Sequence, residues 1–396
     1  MKWPLVTLGE VAEVVGGSTP SRDREEYWNG HIPWLTPTDL PMPGEGIGEV
    51  TATGERITDA GLSAISASLL PPDTVLFSSR ATIGKIGIAA VPLVTNQGFA
   101  NLVPSKAILS KFLAYCLLYY REEISRLAGS TTFKEVRRSA LRRFQIPLPP
   151  LSEQRRIVEI LDHADALRKK RAEADAKAAR ILPALFYKMF GDPATNPKGL
   201  EQARLGDVIK VRSGVFLPSR NMDSGGQYPV FGGNGINGHH SQSLLDGPVI
   251  IIGRVGVYCG SVHYCESACW VTDNALYVAE HDERLHPRYL AEALRLANLN
   301  EYAGRAGQPL ISGSRIYPVK IMIPEWEQQV LFARLIKETK RLGQKLEVLD
   351  HAHGQLFATI LHRAFTGDLT ARWREAHMTE LLAEMEAQAK ILEAVR

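Results

Sequence analysis

Three stretches of this chain carry residue types that catalysis, metal binding or phosphate binding could use. Cys259, His263, Cys265 and Cys269 crowd into one segment, but none forms the C-x-x-C pair of a structural zinc site. The matching stretch of the first half has neither cysteine nor histidine, so no metal ligand is assigned. Glu338-Thr339-Lys340 has the E-x-K spacing of nuclease cores; it falls on a helical stretch with no acidic partner on an upstream strand, and a solvated helix face is the plainer reading. FGGNGINGHH, residues 231–240, is glycine-rich around Asn234. It lacks the Lys-Ser/Thr and the spacing that grip phosphate, which leaves a turn or a loop facing nucleic acid. GxxxxGK[ST], HExxH and the Asn/Asp-Pro-Pro-aromatic tetrad of base-flipping amino-methyltransferases do not occur. We therefore assign no catalytic residue and expect no covalent chemistry from this chain.

The chemistry that remains is recognition. KEVRRSALRR, residues 134–143, concentrates Lys134 and Arg137 with three further arginines, a cluster that neutralises phosphates or else forms a solvated basic face. Its counterpart in the second half carries Arg305, Gln308 and Arg315. Arg80 and Arg254 each follow an apolar strand and precede glycines that let a backbone approach a ligand. Each arginine suits a phosphate contact or an internal salt bridge. Asn96-Gln97 and Asp273-Asn274 are the side-chain types that read base edges, and equally the types that close turns.

Bulk composition neither adds to nor subtracts from that reading. There are 46 Lys+Arg against 43 Asp+Glu, a formal charge of +3, so any nucleic-acid site must be a local patch. With 45% hydrophobic residues over 396 positions, roughly two to three globular domains are expected. Four cysteines are too few for a disulfide framework and fit a reducing compartment. The start MKWPLVTLGEVAEVV lacks the apolar core of a signal peptide, and no apolar run approaches the ~20 residues of a membrane span. A cytoplasmic protein without a membrane partner is expected.

The elements that position these residues are written twice. Leu8-Gly9-Glu10-Val11 recurs as Leu205-Gly206-Asp207-Val208, VLFSSRATIGKIG as VIIIGRVGVYCG, TNQGF as TDNAL, and IPLPPLSEQRRIVEIL as IMIPEWEQQVLFARLI, in one order. By letters, Arg80 pairs with Arg254. Such repetition means an internal duplication. Each copy mixes short β-branched runs with Gly/Pro/Asn punctuation and one helix, which predicts a compact α/β unit within an α+β chain. We expect a first domain over 1–150, a first long helix over 151–190, a second domain over 191–324, a second long helix over 325–365 and a helical tail over 366–396.

Stepping by three and four residues along the first helix gives a seam through Ile157, Ile160, Leu167, Ile181 and Leu185. The same stepping along the second gives Leu335, Leu342, Leu346, Leu349 and Leu356. Two such seams can cover one another, and the pseudo-two-fold of a duplication makes the helices antiparallel. Pro183 is expected to kink the first near its end. At a rise of about 1.5 Å, a helix of roughly 30 to 35 residues is a rod about 45 to 50 Å long.

Several of these stretches together resemble the specificity subunit of type I restriction-modification systems: GGSTPSRDREEYW with IPWLTPTDL, IPLPPLSEQRRIVEIL, YPVFGGNGINGHH, and FTGDLTARWRE after the second helix. The resemblance covers nearly the whole chain. It implies two target-recognition domains, each reading one half of a split, asymmetric site on double-stranded DNA, and an antiparallel two-helix coiled coil that sets the gap. It further implies docking of two methyltransferase subunits, which supply S-adenosylmethionine, and of restriction subunits, which supply ATP- and Mg-dependent translocation and cleavage. No cofactor is then bound by this chain itself. EWEQQ departs from PLSEQ at the root of the second helix, and HMTELLAEMEAQAKILEAVR is expected to pack on the methyltransferase subunits or the coiled coil. Two other classes compete: a self-sufficient methyltransferase or nuclease with an unrecognised motif, and a coiled-coil scaffold without a nucleic-acid role.

Overall fold

The computed structural model describes residues 3–129, 134–223, 225–304 and 309–393; the side chains of residues 179 and 344–353 are outside that description. The chain divides into two compact units, residues 1–172 with 350–396 and residues 173–349. Each contains one copy of the repeat together with segments of both long helices.

In the first unit the strands are β1 (Leu5–Thr7), β2 (Ala12–Gly16), β3 (Trp28–Leu35), β4 (Ile47–Val50), β5 (Glu55–Ile57), β6 (Val75–Ser78), β7 (Ile86–Ala89), β8 (Val94–Thr95), β9 (Phe99–Pro104) and β10 (Gln145–Pro147). They form a five-stranded sheet in the order β2-β9-β6-β7-β4, a three-stranded sheet β5-β3-β8 and the pair β1-β10. In the second unit the strands are β11 (Gln202–Arg204), β12 (Ile209–Ser213), β13 (Tyr228–Gly232), β14 (Gly235–His240), β15 (Val249–Gly253), β16 (Val262–Cys265), β17 (Trp270–Val271), β18 (Ala275–His281) and β19 (Lys320–Met322). Their sheets, β12-β18-β15-β16, β14-β13-β17 and β11-β19, repeat the first set strand for strand apart from β4.

The strand interiors explain the layering. β6 reads VLFS and β15 VIIIG, and every residue in both is buried, as expected for a continuous apolar run covered on two faces. Side chains alternate across the sheet. Val75 and Phe77 join the core beneath Ser110–Tyr119, while Leu76 joins the one shared with Leu35 of β3. Ile250 and Ile252 likewise pack with Tyr289 and Leu290 of the helix Pro287–Leu296, and Val249 and Ile251 with Phe231 of β13.

The first long helix runs Leu151–Ala179 and, past a turn at Arg180, continues as Ile181–Phe190. The break has a local cause: Pro183 has no N–H for the carbonyl four residues back, and its ring crowds that turn. The second long helix is Trp326–Thr366. In the first unit, Ile157 and Leu161 near the start of one helix share a core with Phe357, Leu361 and Phe365 near the end of the other. In the second unit, Phe186 and Phe190 at the end of the first meet Phe332 near the start of the second. Within each unit the paired segments therefore come from opposite ends of the two helices, as an antiparallel arrangement requires.

The buried stripe differs from the expected seam. Leu167 is 63% exposed, Ile181 44%, Leu342 58% and Leu356 52%; Ile157 is buried, and Ile160, Leu185 and Leu335 are half-buried. Polar side chains hold inward positions instead. Asp165 is buried, and Arg168 pairs with it at 2.8 Å, lies over the Phe357 ring and donates to the carbonyls of Gly44 and Glu45. Leu346 and Leu349 lie outside the described side chains.

At the root of each long helix sits a glutamine with no exposed surface. Gln154 Oε1 accepts from Leu109 N at 2.8 Å, and its Nε2 donates to the carbonyls of Ala107 (3.1 Å) and Pro149 (2.9 Å). Gln329 Oε1 accepts from His286 N at 2.8 Å, and its Nε2 donates to the carbonyls of Arg284 (2.8 Å) and Pro324 (2.7 Å). EWEQQ thus makes the same turn as PLSEQ.

The tail reaches the first long helix, one of the two places expected for it, and the first domain as well. Its helices, Ala371–Ala376 and Met378–Glu393, pack on the first domain and the root of its long helix. Glu153, fully buried, accepts from Trp3 Nε1 (2.9 Å), Thr370 Oγ1 (2.6 Å) and Arg374 Nε (2.8 Å). Glu384 accepts from Ser152, and Gln388 donates to the same Ala107 and Pro149 carbonyls that Gln154 uses. At the position of Glu153 the second copy has Gln328, which is exposed.

This asymmetry gives a differential prediction. Gln329→Leu orphans three backbone groups and should lower unfolding free energy by about 3 kcal/mol. Gln154→Leu should cost less, because Gln388 still reaches two of its carbonyls, and a Gln388→Ala background should remove that difference. Urea unfolding of the full-length variants measures both effects.

Candidate nucleic-acid interface

In the first unit three loops meet at the ends of β2, β6 and β8. Ser79 N donates to Gly98 O (2.8 Å), Ser18 N to Thr95 O (2.9 Å) and Asn96 N to Leu35 O (2.9 Å). On this frame the Asn96 side chain closes its own turn, accepting from Gly98 N at 2.9 Å, and exposed Gln97 is bonded by Thr19. Arg80 is half-exposed and pairs with Glu135 at 2.8 Å, so its guanidinium already faces a carboxylate. Lys134 and Arg137 are exposed on the following segment. Arg142 instead turns inward to the carbonyl of Val14 at 2.7 Å.

The second unit repeats the frame with other side chains. Arg254 N donates to Asn274 O (3.0 Å), Val215 N to Val271 O (2.9 Å) and Thr272 N to Phe231 O (2.8 Å). Ser261 Oγ reaches Gly233 O at 2.6 Å, which holds the loop of exposed Asn234 against this group. Arg254 Nη1 donates to Ser213 Oγ at 3.0 Å. Among the described residues its Nε and Asp273 Oδ1 are buried without hydrogen-bond partners. Asn274 and Arg315 are exposed. Arg305 and Gln308 lie outside the described residues.

The ladders correct the letter-by-letter pairing of the copies by one residue. Ser78 faces Phe99 as Gly253 faces Ala275. Ser79 therefore corresponds to Arg254, Arg80 to Val255, Gln97 to Asp273 and Gly98 to Asn274. The two arginines occupy neighbouring positions of the same loop.

An exchange across a strand pair was invisible in the sequence. Trp34 on β3 and Trp270 on β17 sit on opposite members of corresponding parallel pairs, Trp34 beside Val94 and Val230 beside Trp270. Each indole nitrogen nevertheless donates to the second residue past β2 or β12, just after Gly17 or Gly214: Ser18 O at 3.0 Å and Val215 O at 2.9 Å.

The cysteine segment is packed into the domain. Cys259 Sγ donates to Arg254 O at 3.2 Å. A hydrogen bond from Cys269 holds the Cys265 thiol below its ordinary pKa, and the same bond with burial pushes Cys269 up. Burial lowers the pKa of His263. Among the described residues no three His, Cys, Asp or Glu are grouped to hold a metal ion, and no helix is long and apolar enough to cross a membrane.

The family model of the type I restriction modification DNA specificity domain matches residues 1–174 and 197–347, one match on each copy of the repeat. The chain belongs to this family. It is 37% identical over 238 residues to the type I restriction enzyme MjaIX specificity subunit of Methanocaldococcus jannaschii, an alignment covering 56% of this chain and 54% of that one; the match thus spans about half of the relative's length. It is 28% identical to the EcoprrI specificity subunit of Escherichia coli, over 86% of this chain and 88% of the relative. The crystal structure of the type I restriction-modification S subunit from M. genitalium has the same fold, with a TM-score of 0.60 at 17% identity over 92% and 96% of the two chains.

Arg80 and Glu135 form an exposed pair, for which screening and side-chain entropy leave little net stabilisation. Glu135→Gln should change unfolding free energy by less than about 1 kcal/mol, whereas Glu153→Ala, which removes a buried carboxylate from Trp3, Thr370 and half-buried Arg374, should cost roughly 3 kcal/mol. Parallel denaturation curves compare the two directly.

Proposed function

We propose that this chain is the DNA-recognition subunit of a type I restriction-modification complex. Each copy reads one half of a bipartite, asymmetric site. The observation that carries the reading is the duplicated loop frame: one backbone scaffold, built twice and carrying different polar side chains, suits two different half-sites. Family membership supports the same conclusion.

In this reading Arg254, Lys134, Arg137 and Arg315 face phosphates, and Arg80 does so by exchanging Glu135 for DNA. Gln97, Asn234, Asp273 and Asn274 lie where base edges pass. Asn96, engaged in its own turn, shapes the loop that carries Gln97; Arg305 and Gln308, outside the described residues, are assigned to DNA binding by their place in the sequence alone. The long helices set the gap between the half-sites and dock two methyltransferase subunits. S-adenosylmethionine, ATP and Mg belong to the methyltransferase and restriction subunits, and this chain contributes no catalytic group. The complex works in the cytoplasm.

Purified chain incubated with DNA and labelled S-adenosylmethionine should transfer no label, and adding the methyltransferase subunits should restore sequence-dependent transfer. Label transfer by the chain alone would contradict the non-catalytic role. In the assembled complex Arg254→Ala should weaken binding and lower the slope of log affinity against log salt by about one; an unaltered slope removes Arg254 from the phosphate contacts. Inserting one helical turn near Ala174 to Ala178 should change the gap by roughly one to two base pairs, given about 1.5 Å per helical residue and 3.4 Å per base pair.

A further inference from the structure

The hairpin loop between β15 and β16 differs from its counterpart between β6 and β7. The closing hydrogen bonds are the same: Ser78 N to Lys85 O with Gly84 N to Ser78 O, and Gly253 N to Ser261 O with Gly260 N to Gly253 O. Residues 79–84 fill the first loop and 254–260 the second, which is longer by one. At its tip Val257 is 94% exposed and Tyr258 52%, where the first loop carries Ala81 and Thr82.

This tip is held in place. Arg254 N is bonded to Asn274 O, Arg254 O to Ile311 N, Gly256 N to Pro309 O and Ser261 N to Tyr258 O. Gly256 and Gly260 adopt φ of 78° and 87°, and a Cβ on Gly260 would lie 2.4 Å from Asn300 N. An apolar pair fixed outward by its backbone, at the rim that carries Arg254 and Asn274, is preorganised for an apolar feature of a ligand.

On the edges of duplex DNA the major groove offers one apolar group, the C5 methyl of thymine; the other edge groups are donors and acceptors. We propose that Val257, flanked by Tyr258, is a specificity-determining residue that packs on a thymine methyl in the half-site read by the second domain. The inference rests on the DNA-recognition reading above and deepens it. A shared frame with a different tip in each copy is the arrangement that lets two related domains read unlike sequences.

The test uses the assembled complex and duplexes carrying its mapped target, with each thymine of that half-site replaced in turn by uracil, which lacks only the methyl. At one position uracil should weaken wild-type binding about fourfold, the loss expected for one buried methyl-sized group. Val257→Ser should bind the thymine duplex as weakly as wild type binds the uracil duplex and show no further loss with uracil. Val257→Ala serves if the serine variant unfolds at a lower temperature than wild type. The proposal is overturned if the variant keeps the full uracil penalty, or if no thymine in that half-site carries one in wild type. Lost methyltransferase binding with an intact uracil penalty would make the tip a protein contact and overturn it as well. A wild-type complex that does not prefer the unsubstituted target over a scrambled duplex defeats the underlying reading instead, and so is told apart from failure of the tip.

Discussion

Two buried amides, Gln154 and Gln329, fix where each recognition domain meets its long helix. Each bonds three backbone groups at once; Gln329 alone serves its three, while Gln388 shares two of the carbonyls of Gln154, and such groups are costly to bury unpaired. Gln329 cannot leave this position without orphaning the loop before the domain's shorter helix and the carbonyl five residues upstream; loss of Gln154 orphans Leu109 N. The helix root is thereby tied to the domain core, which is what the proposed spacing role requires of it.

The two roots are finished differently. In the first unit the buried carboxylate of Glu153 gathers Trp3, Thr370 and Arg374, and Gln388 doubles the contacts of Gln154. The second unit has exposed Gln328 in that place. Residues near both ends of the chain thus converge on one helix root, and the C-terminal tail stabilises the first domain in particular. Above the roots the division of labour reverses: the frames agree, hydrogen bond for hydrogen bond, while their side chains differ. Arg80 is paired with Glu135, whereas Arg254 is bonded to Ser213 and keeps a buried Nε without a partner. Constant backbone and variable decoration are what a duplicated reader of two unlike half-sites needs.

The duplication was legible because it repeats residue types in one order, and the strands followed from β6 and β15, whose unbroken apolar runs demand cover on both faces. Register was not legible to one residue. Arg80 and Arg254 match as letters, but they sit at neighbouring places in hairpins of unequal length, and only the ladders separate them. The helix seam failed at Leu167, Ile181, Leu342 and Leu356, which are exposed; near Leu167, hydrophobic counting cannot anticipate that Asp165 is buried and that Arg168 reaches Gly44, Glu45 and Phe357, remote in sequence. The burial of Gln154 and Gln329 depends on the loops at Ala107 and Arg284, and no local pattern announces it. The Cys265–Cys269 contact and the exchange of Trp34 for Trp270 are also products of packing across strands.

The central claim is that one chain holds two different readers at a set distance. The measurement that meets it most directly is a genome-wide map of methylated adenines in cells carrying the intact system. The account predicts a single motif in two unlike parts, separated by a constant run of unspecified base pairs. An uninterrupted motif, two identical halves, or a gap that varies from site to site would contradict it.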